Sequence, residues 1–141
     1  KLQQKGFIFI IITNQSGIAL KKYTTAQMDL CHKKLVDEAH QYDIKFEAIY
    51  HCPHHPSVSL CLCRKPDSLL LEKAIAKFNI DITMSWFIGD KQRDADAAKK
   101  VGVRSILVPA NKNINELVYH ISETVETTAT ATAGRGGRPA P

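Results

Sequence analysis

Six apolar side chains in a row, Phe7 to Ile12, open the first regular element of this 141-residue chain. The run is too short for a buried helix and rich in β-branched residues, so it predicts a strand covered on both faces, in a parallel sheet between helices. It gives way to Thr13-Asn14-Gln15-Ser16-Gly17, a polar turn at the strand's carboxyl end. Thr24 and Gln27 have capping-box spacing, and Met28, Cys31, Leu35, Ala39 and Tyr42 then recur at helical intervals. This predicts a helix to about Tyr42, with Cys31 a buried small hydrophobe. Phe46 to His51 reads as a second strand. Asp67 is placed to cap a third element, whose apolar stripe is Leu71, Ala74, Ile75 and Phe78. Ser85 to Ile88 reads as a third strand running into Gly89-Asp90-Lys91, and Ala97, Ala98 and Val101 give the next helix a small-residue face that Gly102 terminates. Arg104 to Val108 reads as a fourth strand and Ile114 to Ile121 as a last short helix. Alternating strands and helices specify an α/β layer fold with a mainly parallel sheet.

A chain of this length suits one domain with a core, burying roughly two thirds of its unfolded surface. Its 44% hydrophobic and 23% charged residues are an ordinary globular balance, and no apolar run approaches the ~20 residues of a membrane span, which argues against a membrane protein. The formal net charge of +5 includes Arg135 and Arg138 near the carboxyl end, and Lys21, Lys22, Lys33 and Lys34 form scattered pairs of the solvated-face kind. With no aromatic-basic stripe beside them, nucleic acid is not the expected partner. Residues 123–141 turn to alternating Thr and Ala and then Gly-Arg-Gly-Gly-Arg-Pro, a composition that predicts a disordered tail behind a domain spanning residues 1–122. The chain opens on Lys1 within a polar, helix-like run, and further sequence is expected upstream.

The richest chemistry lies between Tyr50 and Pro66, which holds three of the four cysteines. Cys52 and His54 make a Cys-x-His pair, and Cys61 and Cys63 a Cys-x-Cys pair. Three thiolates and an imidazole fit a tetrahedral structural Zn²⁺ with no position left for catalytic water. His51 or His55 could replace His54, although the one-residue spacer common to both pairs favours His54. Disulfides fit poorly: Cys61 to Cys63 would close a strained ring, and Cys52 with either leaves an odd thiol. Thiols kept as metal ligands suit a reducing compartment, and no secretory signal pattern opens the chain, so a cytoplasmic setting is expected.

Parallel strands carry their carboxyl ends along one edge, which would gather three polar clusters: Thr13 with Asn14, Arg64 with Lys65, and Asp90 with Lys91 and Asp94. A hydroxyl, backbone N–H groups, two cations and a metal-binding carboxylate are what phosphoryl transfer needs, because it is catalysed by positioning and charge neutralisation. Asp90 is the expected Mg²⁺ ligand. Taken singly, Thr13 could merely finish a strand, Lys65 could be solvated and Asp90 could cap a helix.

Thr13 to Ala19 (Thr-Asn-Gln-Ser-Gly-Ile-Ala), Cys52 to Pro56 (Cys-Pro-His-His-Pro), Cys61 to Pro66 (Cys-Leu-Cys-Arg-Lys-Pro) and Gly89 to Asp94 (Gly-Asp-Lys-x-x-Asp) resemble the zinc-containing branch of the haloacid dehalogenase superfamily, which includes heptose-bisphosphate and histidinol-phosphate phosphatases. The resemblance covers about Gly6 to Val108. It implies a three-layer, Rossmann-like α/β fold with helices on both faces, and a Mg²⁺-dependent phosphatase acting on a small phosphorylated metabolite through an aspartyl-phosphate, expected here as a monomer. On it, Thr13 would bind phosphoryl oxygens, Lys65 would neutralise the transferring group, and Arg64 would help to recognise substrate. Asn14, Gln15, Ser16 and Lys91 would line the pocket, Asp90 would hold Mg²⁺, and Cys52, His54, Cys61 and Cys63 would hold Zn²⁺ in a loop standing where relatives carry a cap domain. The chain departs from the pattern in a short loop between His54 and Cys61 and in Asp67-Ser68-Leu69 after the lysine and proline. It departs most in lacking an Asp-x-Asp pair before Thr13, the family's nucleophile and general acid–base on a central first strand. Asp94 and Asp96 have that spacing but fall within a helix after the wrong strand. The chain as it stands should therefore lack the middle of its sheet and be inactive. The competing readings are a zinc-ordered binding module for nucleic acid or a metabolite, and a pseudoenzyme that binds phosphate without turnover.

Overall fold

The structure, a computed structural model, describes residues 1–117 and 119–122. Among the described residues four strands alternate with three α-helices: β1 (Phe9–Asn14), α1 (Thr25–His40), β2 (Phe46–Cys52), α2 (Leu69–Phe78), β3 (Trp86–Gly89), α3 (Gln92–Lys100) and β4 (Arg104–Leu107). Residues 115–117 and 119–122 are also helical, where the last helix was expected. The tail expected over 123–141 lies outside the described residues. No described helix is long and apolar enough to cross a membrane.

α1 returns the chain parallel to β1, and α3 returns it parallel to β3. β1 pairs with β2 in a register that sets Thr13 opposite His51 and Asn14 opposite Cys52, and β3 pairs with β4 with Gly89 opposite Leu107. The two pairs are not joined: they form separate two-stranded sheets, β1-β2 and β3-β4. An apolar cleft of about 480 Å³ opens between them, lined by Ile10 and Ile12 of β1, Leu71 and Ala74 of α2, and Phe87 and Ile88 of β3. This agrees with the expectation of an α/β fold without its central strand. The cleft also explains a departure: β1 was expected to be covered on both faces, yet none of its residues is fully buried.

The core is small. Leu71, Ala97 and Ala98 are buried together against Ile12, Phe87, Val101 and Val103. The alanines of α3 let that helix sit close to β3 and β4, and Gly102, at φ +73°, turns the chain out of it, a conformation glycine adopts without Cβ strain.

Several boundaries and orientations shift. β1 starts and ends two residues later than its apolar run, because the ladder with β2 carries Thr13 and Asn14 into the strand. α1 has the expected capping box but ends at His40, and Cys31 is exposed rather than buried. The helix buries Met28 and turns His32 toward the sheet, where its ring meets that of His51 at 6.3 Å, so Cys31 is rotated toward solvent. Asp67 does not cap α2. Ser68 holds that position, and Asp67 instead pairs with Lys100 of α3 at 2.8 Å.

Candidate active site

The carboxyl ends of β1 and β2 lie side by side, so the turn after Asn14 and the loop after Cys52 meet. The backbone N–H of Gln15 donates to Cys52 O at 2.7 Å, and that of Ala19 to Pro53 O at 3.2 Å. In the loop, the ligand atoms of Cys52, His54, Cys61 and Cys63 all lie within 4.8 Å of one another. Cys52 Sγ is 3.5 Å from Cys61 Sγ and 3.1 Å from Cys63 Sγ, and His54 Nδ1 is 3.6 Å from Cys52 Sγ and 3.3 Å from Cys63 Sγ. A tetrahedral Zn²⁺ with ordinary bond lengths has edges of roughly 3.6–3.8 Å, so the four donors already stand near the required spacing, and the sulfurs are too far apart for disulfide bonds. The two neighbouring histidines are engaged elsewhere: His55 Nδ1 lies 2.7 Å from Ser57 Oγ, and the His51 ring meets that of His32 at a tilt of 56°.

The thiols titrate unequally. Burial pushes Cys52 up, and burial with the neighbouring Cys52 and Cys61 sulfurs pushes Cys63 up to about 12. At Cys61 burial also acts upward, but hydrogen bonds from Cys63, Cys52 and the Arg64 backbone outweigh it and bring the thiol below its usual range. Three crowded sulfurs repel a second negative charge. A cation among them removes that cost.

Past the loop, Lys65 turns inward and is 8% exposed. A buried ammonium needs partners. Its Nζ donates to Ile12 O at 2.7 Å and meets Asp94 Oδ1 at 2.8 Å, with the Phe87 ring centroid 5.3 Å away. Asp94, 4% exposed, also accepts from the Lys91 backbone N–H through Oδ2 at 3.1 Å. Burial works against its charge, but the Lys65 hydrogen bond and charge together with the Lys91 N–H prevail and hold its carboxyl below the usual range. Gly89 makes room for this pair: a Cβ there would stand 2.4 Å from Asp94 Cβ.

Asn14 fixes the backbone that carries Lys65. Its Nδ2 donates to Lys65 O and its Oδ1 accepts from Lys65 N, both at 3.1 Å. One donor and one acceptor of the amide are thereby used, so its side chain clasps β1 to the Lys65 segment. Gln15 Nε2 donates to Thr13 Oγ1 at 3.1 Å. Arg64 donates to His54 O at 3.3 Å and so braces the loop that carries the cysteines and His54. Ser16 is half-buried in the turn, its carbonyl accepting from Leu20 N. Asp90 follows β3 with a partly exposed carboxylate 3.4 Å from Lys91 Nζ. That carboxylate is open enough to serve as one oxygen ligand of a hard cation.

The structure thus joins β1, Lys65 and the Asp90–Asp94 turn through direct bonds. Sequence reasoning grouped Asp94 with this edge but gave it no task; the signal was its place, four residues after Asp90, on the inner face of α3. The use of Asn14 as a clasp had no signal in the sequence.

A family model described as HAD-hydrolase-like matches residues 62–131. The D-glycero-beta-D-manno-heptose-1,7-bisphosphate 7-phosphatase of Escherichia coli K12 is 36% identical over 121 residues, covering 81% of this chain and 63% of that protein. The histidine biosynthesis bifunctional protein HisB of Legionella pneumophila (strain Lens) is 36% identical over 103 residues, covering 73% of this chain and 29% of that protein. Among solved structures, the D,D-heptose 1,7-bisphosphate phosphatase of B. bronchiseptica, complexed with magnesium and phosphate, superposes with a TM-score of 0.71 at 31% identity, over 75% of this chain and 59% of that one. The chain spans less than two thirds of the length of these relatives. Motifs, fold and relatives agree, and the chain belongs to the haloacid dehalogenase-like hydrolases, in the branch of the heptose-bisphosphate phosphatases and HisB.

Proposed function

We propose that these residues are the phosphate-holding part of a phosphomonoesterase that acts on heptose 1,7-bisphosphate or histidinol phosphate, in the reducing setting of the cytoplasm. One observation carries the reading: a buried ammonium, Lys65, held at the carboxyl end of β1 by Ile12 O and Asp94. An ammonium has three N–H donors, and two are used, which leaves one for a phosphoryl oxygen. Thr13 supplies a hydroxyl from the same strand end, and Asn14, Gln15, Ser16, Arg64 and Lys91 are the residues we assign to the pocket around the substrate. Asp90 is the Mg²⁺ ligand, and the ion supplies charge neutralisation at the phosphoryl oxygens. Cys52, His54, Cys61 and Cys63 hold a structural Zn²⁺ that keeps the loop folded beside the site.

Within these 141 residues no Asp-x-Asp pair precedes Thr13, the first aspartate being Asp29. Covalent catalysis by a carboxylate needs that carboxylate, so these residues by themselves bind phosphate without turning it over. Phosphate release from both substrates is the test, measured with Mg²⁺ for the chain alone and with a strand bearing Asp-x-Asp fused ahead of Lys1. The chain alone should release nothing. The fusion should release phosphate and lose that activity on Lys65→Met. A folded fusion inactive on both substrates would favour a metabolite-binding role.

A further inference from the structure

Thr13 is not alone at the end of β1. Gln15 Nε2 donates to its Oγ1 at 3.1 Å, and the Tyr23 hydroxyl donates to Gln15 Oε1 at 2.6 Å. The Tyr23 ring lies directly over Gly17, where a Cβ would stand 2.1 Å from Cε1 and 2.5 Å from Cζ. Any side chain at position 17 would push the phenol aside, so the glycine sets where the hydroxyl sits.

The order of these bonds decides which way the Thr13 proton points. A hydroxyl has one proton and two lone pairs, and a carboxamide has a donor end and an acceptor end. Were the Gln15 amide reversed, its oxygen would face Thr13 and draw the hydroxyl proton. Thr13 would then present only lone pairs to an incoming anion. In the observed arrangement the Tyr23 hydroxyl uses its own proton on the acceptor end, so the donor end faces Thr13, fills one lone pair and leaves the Thr13 proton to be given elsewhere. We infer that Tyr23 and Gln15 are positioning residues, a relay that fixes Thr13 as a hydrogen-bond donor to the phosphoryl group. The inference rests on the proposed phosphate site and adds a directional requirement to it. It also gives a use to Tyr23, which no motif marks.

A purely structural role for Tyr23 would weaken phosphate binding whether or not Thr13 carries a hydroxyl. A double-mutant cycle separates the two. Inorganic phosphate binding is measured by calorimetry on the full chain, zinc-loaded, for wild type, Tyr23→Phe, Thr13→Val and the double variant, with thermal melting of each. Losing one hydrogen bond to a charged ligand costs about tenfold or more in affinity, so Thr13→Val sets that scale. Tyr23→Phe should weaken binding by roughly three- to tenfold when Thr13 is present and by less than about twofold when it is valine. Gln15→Met, which has no polar ends, runs the same cycle should Tyr23→Phe disturb folding. The ¹⁵N side-chain amide signals of Gln15 should shift on Tyr23→Phe without any ligand. Unchanged phosphate affinity in Tyr23→Phe, or an equal loss with and without the Thr13 hydroxyl, overturns the relay while leaving the phosphate site standing. A wild-type chain that ignores phosphate overturns the site and the relay together.

Discussion

Replacing Asp94 by Asn removes one charge from the tightest ion pair of the site and changes almost nothing else in shape. Asp94 and Lys65 have side chains only 5% and 10% exposed and meet at 2.8 Å. Breaking a buried pair by neutralising one partner leaves the other charge uncompensated, a loss of about 3–5 kcal/mol. The lower end applies here, since Lys65 keeps Ile12 O and the new amide oxygen can still accept from Lys91 N–H. At about 4 °C per kcal/mol for a domain of this size, the melting temperature should fall by roughly 12 °C. Urea unfolding followed through Trp86, the single tryptophan, measures the free-energy change directly. The pH dependence gives an independent check. The Asp94 carboxyl is held below its ordinary 3.8 in the folded chain, so its contribution is fully present above that value and is lost as pH falls through the lower folded value. Wild type and Asp94→Asn should therefore differ most at neutral pH and converge in acid. Adding Lys65→Met to Asp94→Asn should recover most of the loss, because a buried pair replaced by uncharged groups is often close to neutral. The reasoning is refuted if Asp94→Asn lies within about 1 kcal/mol of wild type at neutral pH, or if the double variant is no more stable than Asp94→Asn.

Elemental analysis of the purified chain should find one zinc, and Cys61→Ser with Cys63→Ser should abolish it; because thiols lose protons to the metal, retention should weaken as pH falls, and a folded chain without metal would contradict the ligand set. Asn14→Ala removes two hydrogen bonds to the Lys65 backbone and should cost about 1–3 kcal/mol in denaturant unfolding, with phosphate binding weakened as well, whereas a loss of binding at unchanged stability would mean that Asn14 acts on the ligand and not as a clasp. Gly17→Ala drives a methyl into the Tyr23 ring and should destabilise the chain by about 1–3 kcal/mol, with Tyr23→Ala alongside it relieving part of the strain; no change in melting would mean that the ring is not seated there. Cys31, exposed on α1, should be the thiol alkylated first in the native zinc-loaded chain, and Cys31→Ser should change stability by less than about 0.5 kcal/mol; protection equal to that of Cys52 would place it in the core after all.

The order of strands and helices, the parallel sheet and the Cys-His set were legible in the sequence, because they depend on properties local in the chain. Apolar runs, cap residues and ligand spacing act over a few positions, and the elements formed within a few residues of where those signals lie. Even the broken sheet could be anticipated, from the strand that the family places centrally and these residues do not contain. What the chain could not disclose is how side chains far apart in sequence share out their hydrogen bonds. Asn14 meets Lys65 across 51 residues, and Lys65 meets Asp94 across 29 more, so each choice depends on the packing of α2 and α3 against β1 and β3. The same holds for the facing of α1. Its apolar stripe is compatible with turning either Cys31 or His32 inward, and the His51 ring on the neighbouring strand selects His32. Periodicity identifies which residues can lie on one face of a helix, but only the surface opposite determines which of them is buried, since burial is a relation between two elements and a sequence pattern describes one.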